Sequence, residues 1–153
     1  MTVHTETFIN SSIELIWRAW TESDRITKWF APAAEIQLKN YGKYELYFDP
    51  TNKNSMSTIG CKLLDYEEPS FLEFQWKGPD EFNDVMNDEK ELTIVKISLL
   101  PYENGTKLIL EHTGWGTTDG WIKAKNWHIK AWEQALSSLK SNMESGEGIL
   151  SCN

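Results

Sequence analysis

His128, His112 and Lys125 are the side chains of this chain that could do acid–base chemistry in an apolar setting. An imidazole can take or give a proton near neutrality. His128 stands near the centre of an apolar helical stripe, about one turn from Trp132 and Lys125. There it could anchor a ligand carbonyl or hydroxyl, or act as a general base. Bonded to a backbone group, it would instead be a core or rim histidine. His112 follows Glu111 in a strand-like segment, and strand neighbours point to opposite faces, so those two cannot form a dyad directly. If His112 faces inward it can approach His128. His4 is expected at the surface. No nucleophile elbow with a Ser-His-Asp order is present, and no glycine-rich phosphate loop. The three histidines have no zinc-type spacing, so no metal or cofactor is expected.

The element that must carry His128 runs from Asp119 to about Met143. At about 100° per residue, one side collects Trp121, Ala124, His128, Ala131, Trp132, Ala135, Leu136, Leu139 and Met143. Lys123, Lys130, Glu133, Ser137 and Ser141 fall opposite. This is an amphipathic helix of roughly seven turns. Tryptophans, small alanines and a histidine share its apolar side, so the surface beneath it either meets it fully or leaves room for a guest.

Upstream, Val3 to Ile9 alternates and is threonine-rich, as a strand is. Ser11 and Glu14 fit a capping box for a helix holding Ile13, Ile16, Trp17 and Trp20 on one side. Thr21 and Asp24 begin a second short helix, and Trp29-Phe30-Ala31-Pro32 ends it, since proline cannot continue a helix. From Ala34 the period becomes two. Strands are expected near Glu35–Leu38, Tyr44–Phe48, Thr58–Tyr66, Phe71–Trp76, Leu92–Leu100 and Lys107–Thr113. Turns fall at Tyr41-Gly42-Lys43, at Glu67-Glu68-Pro69-Ser70 and at Glu103-Asn104-Gly105, where Asn104-Gly105 favours a tight hairpin. Asp49 to Ser57 and Lys77 to Glu91 are longer loops. Gly114-Trp115-Gly116 and Gly120-Trp121 lead into the last helix as turns or as a cavity gate.

The order strand, two short helices, six strands, long helix is an α+β plan. A curved antiparallel sheet of about seven strands would wrap on the long C-terminal helix, and an elongated pocket can persist where curvature holds the two apart. Alternation and helix face nominate Trp17, Trp29, Phe48, Phe74, Trp76, His112, Trp121, His128 and Trp132 as cavity residues. The inward strand face is open at this level, because a one-residue slip inverts it.

The chain's 153 residues suit one domain, taken as 1–145, with a tail from 146 to 153 that is glycine- and serine-rich and expected to fray. Eight tryptophans suit either a packed aromatic core or an aromatic-lined cavity. A net charge of −8 argues against nucleic acid and against an anionic membrane surface. The acidic stretch Asp80 to Glu91 lacks the ligand alternation and central glycine of a calcium loop and reads as a solvated loop. Cys61 and Cys152 have no metal-type spacing and are expected to be reduced, in the cytoplasm. No signal peptide and no membrane-length apolar run is visible.

Several segments together resemble a known family. They are Ile13-Glu14-Leu15-Ile16-Trp17-Arg18-Ala19-Trp20, Ile26-Thr27-Lys28-Trp29-Phe30-Ala31-Pro32 and Gly42-Lys43-Tyr44-Glu45-Leu46. Gly60-Cys61 leads on to Glu68-Pro69-Ser70-Phe71-Leu72-Glu73-Phe74-Gln75-Trp76, followed by Gly105-Thr106-Lys107-Leu108, Glu111-His112-Thr113-Gly114-Trp115 and the Trp132 to Leu139 helix. In order and spacing, from about Val3 to Ser145, they resemble the START-like (SRPBCC) superfamily with its helix-grip fold. Within it the chain is similar to the homologues of the activator of the heat-shock-protein-90 ATPase. The resemblance implies a hydrophobic cavity between sheet and long helix for lipid-like or polyketide-like small molecules. The eukaryotic namesake stimulates the chaperone's ATPase with an additional domain for which this chain has no room, so the chaperone partner is not carried over. Three readings stand: a binding protein for a hydrophobic small molecule; an enzyme of cyclase, dehydratase or hydrolase type using His128, His112 and Lys125; and an interaction module, as a chaperone accessory or homodimer.

Overall fold

The computed structural model describes residues 1–145; the expected tail and Cys152 lie outside them. Seven strands and four α-helices follow in the order β1 (Val3–Ile9), α1 (Ile13–Thr21), α2 (Ser23–Ile26), β2 (Ala33–Ile36), β3 (Tyr44–Tyr47), β4 (Leu63–Glu67), β5 (Phe71–Trp76), α3 (Asn83–Met86), β6 (Thr93–Tyr102), β7 (Gly105–Thr113) and α4 (Asp119–Ser145). The antiparallel sheet has the order β1-β7-β6-β5-β4. The β2–β3 hairpin continues it through single bridges, Lys43 to Lys62 and Tyr47 to Ser57. The architecture is the expected α+β plan, with its seven strands divided into five and two. The segment expected as one strand from Thr58 to Tyr66 forms ladder pairs only from Leu63. Its first residues turn instead, with the Cys61 N–H donating to Thr58 O.

Alternation selects the inner face. Leu72, Phe74 and Trp76 on β5, Thr93, Val95, Ile97 and Leu99 on β6, and Leu108, Leu110 and His112 on β7 are all buried. The ladder holds them in rows, with Phe74 opposite Val95 and Val95 opposite His112. A register shift between Leu63 and Asp65 marks a bulge in β4, a local bend in the sheet. α4 lays Trp121, Ala124, His128, Trp132, Ala135, Leu136 and Leu139 on this face, as its periodicity demands. At about 1.5 Å per residue it is long enough to cross the whole sheet. Its far end is tied to the β1 edge: the Lys140 ammonium donates to Phe8 O, and the Asn10 N–H donates to the Glu144 carboxylate at 2.8 Å.

The α1 cap is Ser12 rather than Ser11. Its Oγ accepts the Leu15 N–H at 3.3 Å, one residue later than the Ser11–Glu14 box would place it. The last hairpin is tight, but its two central residues are Glu103 and Asn104, with Glu103 at φ 51°. Gly105 instead starts β7, where any Cβ would run into the Ile9 carbonyl oxygen. The acidic stretch is solvated on its outside only. A 3-10 turn (Asp80–Phe82) and α3 form there because Phe82 and Met86, one helical turn apart, are buried against the core. α1 and α2 close one end of the layer. Trp20 packs edge-on against Trp29 at 4.7 Å between ring centres, the Tyr44 hydroxyl donates to Trp20 O, and the Ser138 hydroxyl donates to Trp29 O. The entrance to α4 is packed rather than loose. The Trp115 indole N–H donates to His112 O at 2.8 Å, and Gly116 lies against the Trp121 ring, where a Cβ would not fit.

Candidate functional site

His112 and His128 do meet, with ring centres 5.3 Å apart between the sheet and α4. Their protonation follows from their partners, because an indole N–H can only donate and a carbonyl can only accept. The Trp132 indole donates to His112 Nδ1 at 2.9 Å, so the His112 proton sits on Nε2, where it reaches Thr93 Oγ1 at 2.8 Å. The Thr93 hydroxyl donates onward to Trp76 O. His128 Nδ1 faces Ala124 O at 2.8 Å and so carries the proton, and its Nε2 accepts the Trp76 indole N–H at 3.3 Å. Both imidazoles are therefore neutral, and every ring nitrogen has a partner. Burial pushes His128 down to about 4, partly opposed by its bond to the Ala124 carbonyl. Burial also holds His112 well below its ordinary value, with the neighbouring His128 adding to the shift.

Beside this network, under the middle of α4, lies a cavity of about 370 Å³. Phe30 and Phe48 close one side, Trp76 and His128 the inner wall, and Trp132, Ala131 and Ala135 the helix side. Two loops complete the lining and carry the mouth at their outer residues, with Asp49, Met56 and Ser57 from the β3–β4 connection and Lys77, Gly78 and Pro79 from the β5–α3 connection; Ser57 and Gly78 are buried on the inner side. Trp127 and Gln134 of α4 complete the rim. Met56 and Trp127 are exposed, at 38% and 43%, and locate the opening to solvent. Asp80 joins the two loops, accepting the Met56 N–H at 3.0 Å and the Ser55 hydroxyl. The wall is aromatic and nearly continuous: Phe30 stacks on Trp76 at 5.8 Å, and Trp76 leans on Trp132 at 4.9 Å. The alanines make the room. On the same helix face, Trp132 reaches the sheet, whereas Ala131 and Ala135 stop short of it.

Of the residues nominated from sequence, Phe48, Trp76, His128 and Trp132 line this cavity. His112 lies immediately behind the wall, bonded to Trp132. Trp29 and Phe74 are in the solid core, Trp29 stacked on Phe30 at 4.8 Å and Phe74 on Tyr44 at 4.1 Å. Trp121 packs on Trp115 at the start of α4. Trp17 faces away, beside Tyr66, and lines a separate open groove with Arg18, Glu22 and Ile36. Lys125 stays clear of both histidines, with its Nζ near Met1 Sδ. Phe30, Met56, Gly78, Pro79 and Trp127 were not nominated. Gly78-Pro79, directly after an inward-facing Trp76, was the available signal for the second loop. Trp127, beside the helix stripe, was the signal for the rim.

The sequence model of the family described as Activator of Hsp90 ATPase homolog 1-like protein matches residues 10–144. The chain belongs to this family. Solved structures agree in fold. The Aha1 dimer from Colwellia psychrerythraea is 20% identical, with 97% of this chain and 99% of that one aligned at a TM-score of 0.75. PFC0360w, an HSP90 activator from Plasmodium falciparum, is 19% identical over 88% and 89% of the two chains, at 0.64. DynU16, from the dynemicin biosynthetic locus, is 16% identical over 95% of this chain and 48% of that one, at 0.70. No curated protein is similar enough in sequence to match the chain. Among the described residues of this Aha1-like chain, no helix is long and apolar enough to cross a membrane.

Proposed function

We propose that this Aha1-like protein binds a hydrophobic small molecule in the cavity under α4. The observation that carries the reading is an aromatic-walled cavity between α4 and the sheet, beside the buried hydrophobic core. At about 370 Å³ the space is within the range of small-molecule sites. The paired histidines speak against acid–base catalysis there. A general base needs a free lone pair aimed at substrate, whereas the His128 Nε2 lone pair meets the Trp76 indole and the His112 Nδ1 lone pair meets Trp132. In this setting the histidines lock two tryptophans of the wall in place.

A titration of isotopically labelled protein with 1-octanol, followed by backbone amide shifts, tests the reading. Saturable shifts centred on Phe48, Trp76, His128 and Ala131 are expected. Shifts that never saturate, or that scatter over the surface, would overturn it.

A further inference from the structure

The polar atoms around the cavity divide sharply between its interior and its mouth. Inside, everything is already paired. The Trp76 and Trp132 indoles donate to the histidines. The Gly78 N–H donates to Asn87 Oδ1 at 2.9 Å, and the Gly78 carbonyl accepts from Asn87 Nδ2 at 3.0 Å. The Ser57 hydroxyl donates to Lys53 O at 2.6 Å. A guest's buried part therefore finds no hydrogen-bond partner and must be apolar, since an unpaired polar group there would keep its full desolvation cost.

The mouth is different. Lys77 is neutralised by Glu89, 2.5 Å from its ammonium. Asp49 has one carboxylate oxygen occupied, with Oδ1 accepting the Thr51 N–H and hydroxyl, and leaves Oδ2 open. Asp49 is thus the unpaired charge among the lining side chains, and it is half-buried. The lysine of its own loop, Lys53, is drawn off over the Tyr47 ring at 4.9 Å. Lys130, on the neighbouring turn of α4, is exposed to bulk water, where a charge acts weakly at a distance. Asp80, outside the lining, has both carboxylate oxygens occupied, by the Met56 N–H and the Ser55 hydroxyl. The exposed indole of Trp127 offers a π face to a cation on the same rim.

We propose that the guest is a cationic amphiphile, an apolar or aromatic body seated against Trp76 and Trp132 with an amine held at the mouth by Asp49. This rests on the binding reading above and adds to it the charge and orientation of the ligand. Octylamine, 1-octanol and octanoate share one chain and differ in head, so their affinities near neutral pH separate the two claims. Octylamine is expected to bind about fivefold tighter than 1-octanol and at least about tenfold tighter than octanoate, as a partly desolvated ion pair allows. Asp49→Asn should erase the amine's advantage and leave 1-octanol within about twofold, and high salt should shrink the advantage in the wild type. Octanoate binding as tightly as octylamine, or an amine preference that survives Asp49→Asn, would overturn the proposal while the cavity reading stands. Failure of 1-octanol to bind at all would remove the cavity reading, and this proposal with it.

Discussion

Each indole N–H at the cavity wall ends on the lone pair of an imidazole, and the burial of these two imidazoles makes the protein acid-sensitive. The unfolded chain takes up protons on its histidines near their ordinary value of about 6.5. The folded chain does not, because His128 is lowered to about 4 and His112 is lowered as well. Below about pH 6.5 the unfolded state binds more protons than the folded state, so stability is full above that value and falls as pH drops toward 4. His128 alone should account for up to about 3 kcal/mol over this window. Urea midpoints measured between pH 7 and 5, above the range of most carboxylates, should fall with pH, and the slope should be smaller in His128→Gln. A flat profile would contradict the assignment. Trp132→Phe keeps most of the ring volume but strands His112 Nδ1, and should lower unfolding stability by about 1–3 kcal/mol in chemical denaturation. The meeting of the two histidines was readable only conditionally. The helix stripe placed His128 inward, but the face of β7 carrying His112 depends on register, and Val95↔His112 pairing is a non-local fact.

At the scale of elements, the period of long segments was readable, and so were several ends, among them Val3–Ile9, Phe71–Trp76 and the Asp119 start of α4, whereas a cap and a turn register slipped. The α4 stripe is that expected, apart from Ala131 and Met143, which are only partly buried. Two adjacent serines before α1 carry nearly the same local signal, and the choice of Ser12 is made by where β1 stops pairing at Ile9. Ser12→Ala should therefore cost about 1 kcal/mol of unfolding stability and Ser11→Ala clearly less. Thermal denaturation of the two variants checks the order. The hairpin slipped by one residue for a similar reason, since Gly105 is demanded by the approach of the β1 end rather than by turn geometry. The loop to β6 shows where composition misleads. Its acids dominate the stretch, but Phe82 and Met86 are what anchor it.

Over the whole molecule, a helix crossing a sheet encloses more space than its own side chains fill where alanines replace bulk. Ala131 and Ala135 mark that place, and the two mouth loops linked through Asp80 close around it. The tryptophans and alanines on one helix face left two outcomes open in the sequence, a filled aromatic core or a space beneath the helix. The position of such a space was not legible, because Trp29, Phe74 and Trp121 are aromatic and inward in the same way, yet find protein partners. What distinguishes cavity tryptophans from core ones is the size of the residue opposite, set by three-dimensional packing. The measurement that bears most directly on the account is fluorescence titration with N-phenyl-1-naphthylamine, a neutral apolar probe excited by energy transfer from tryptophan, on the wild type and on Ala131→Trp. The account predicts one saturable site in the wild type and its loss in the variant, with the variant still folded by circular dichroism. Equal binding in both proteins, or none in the wild type, would contradict it.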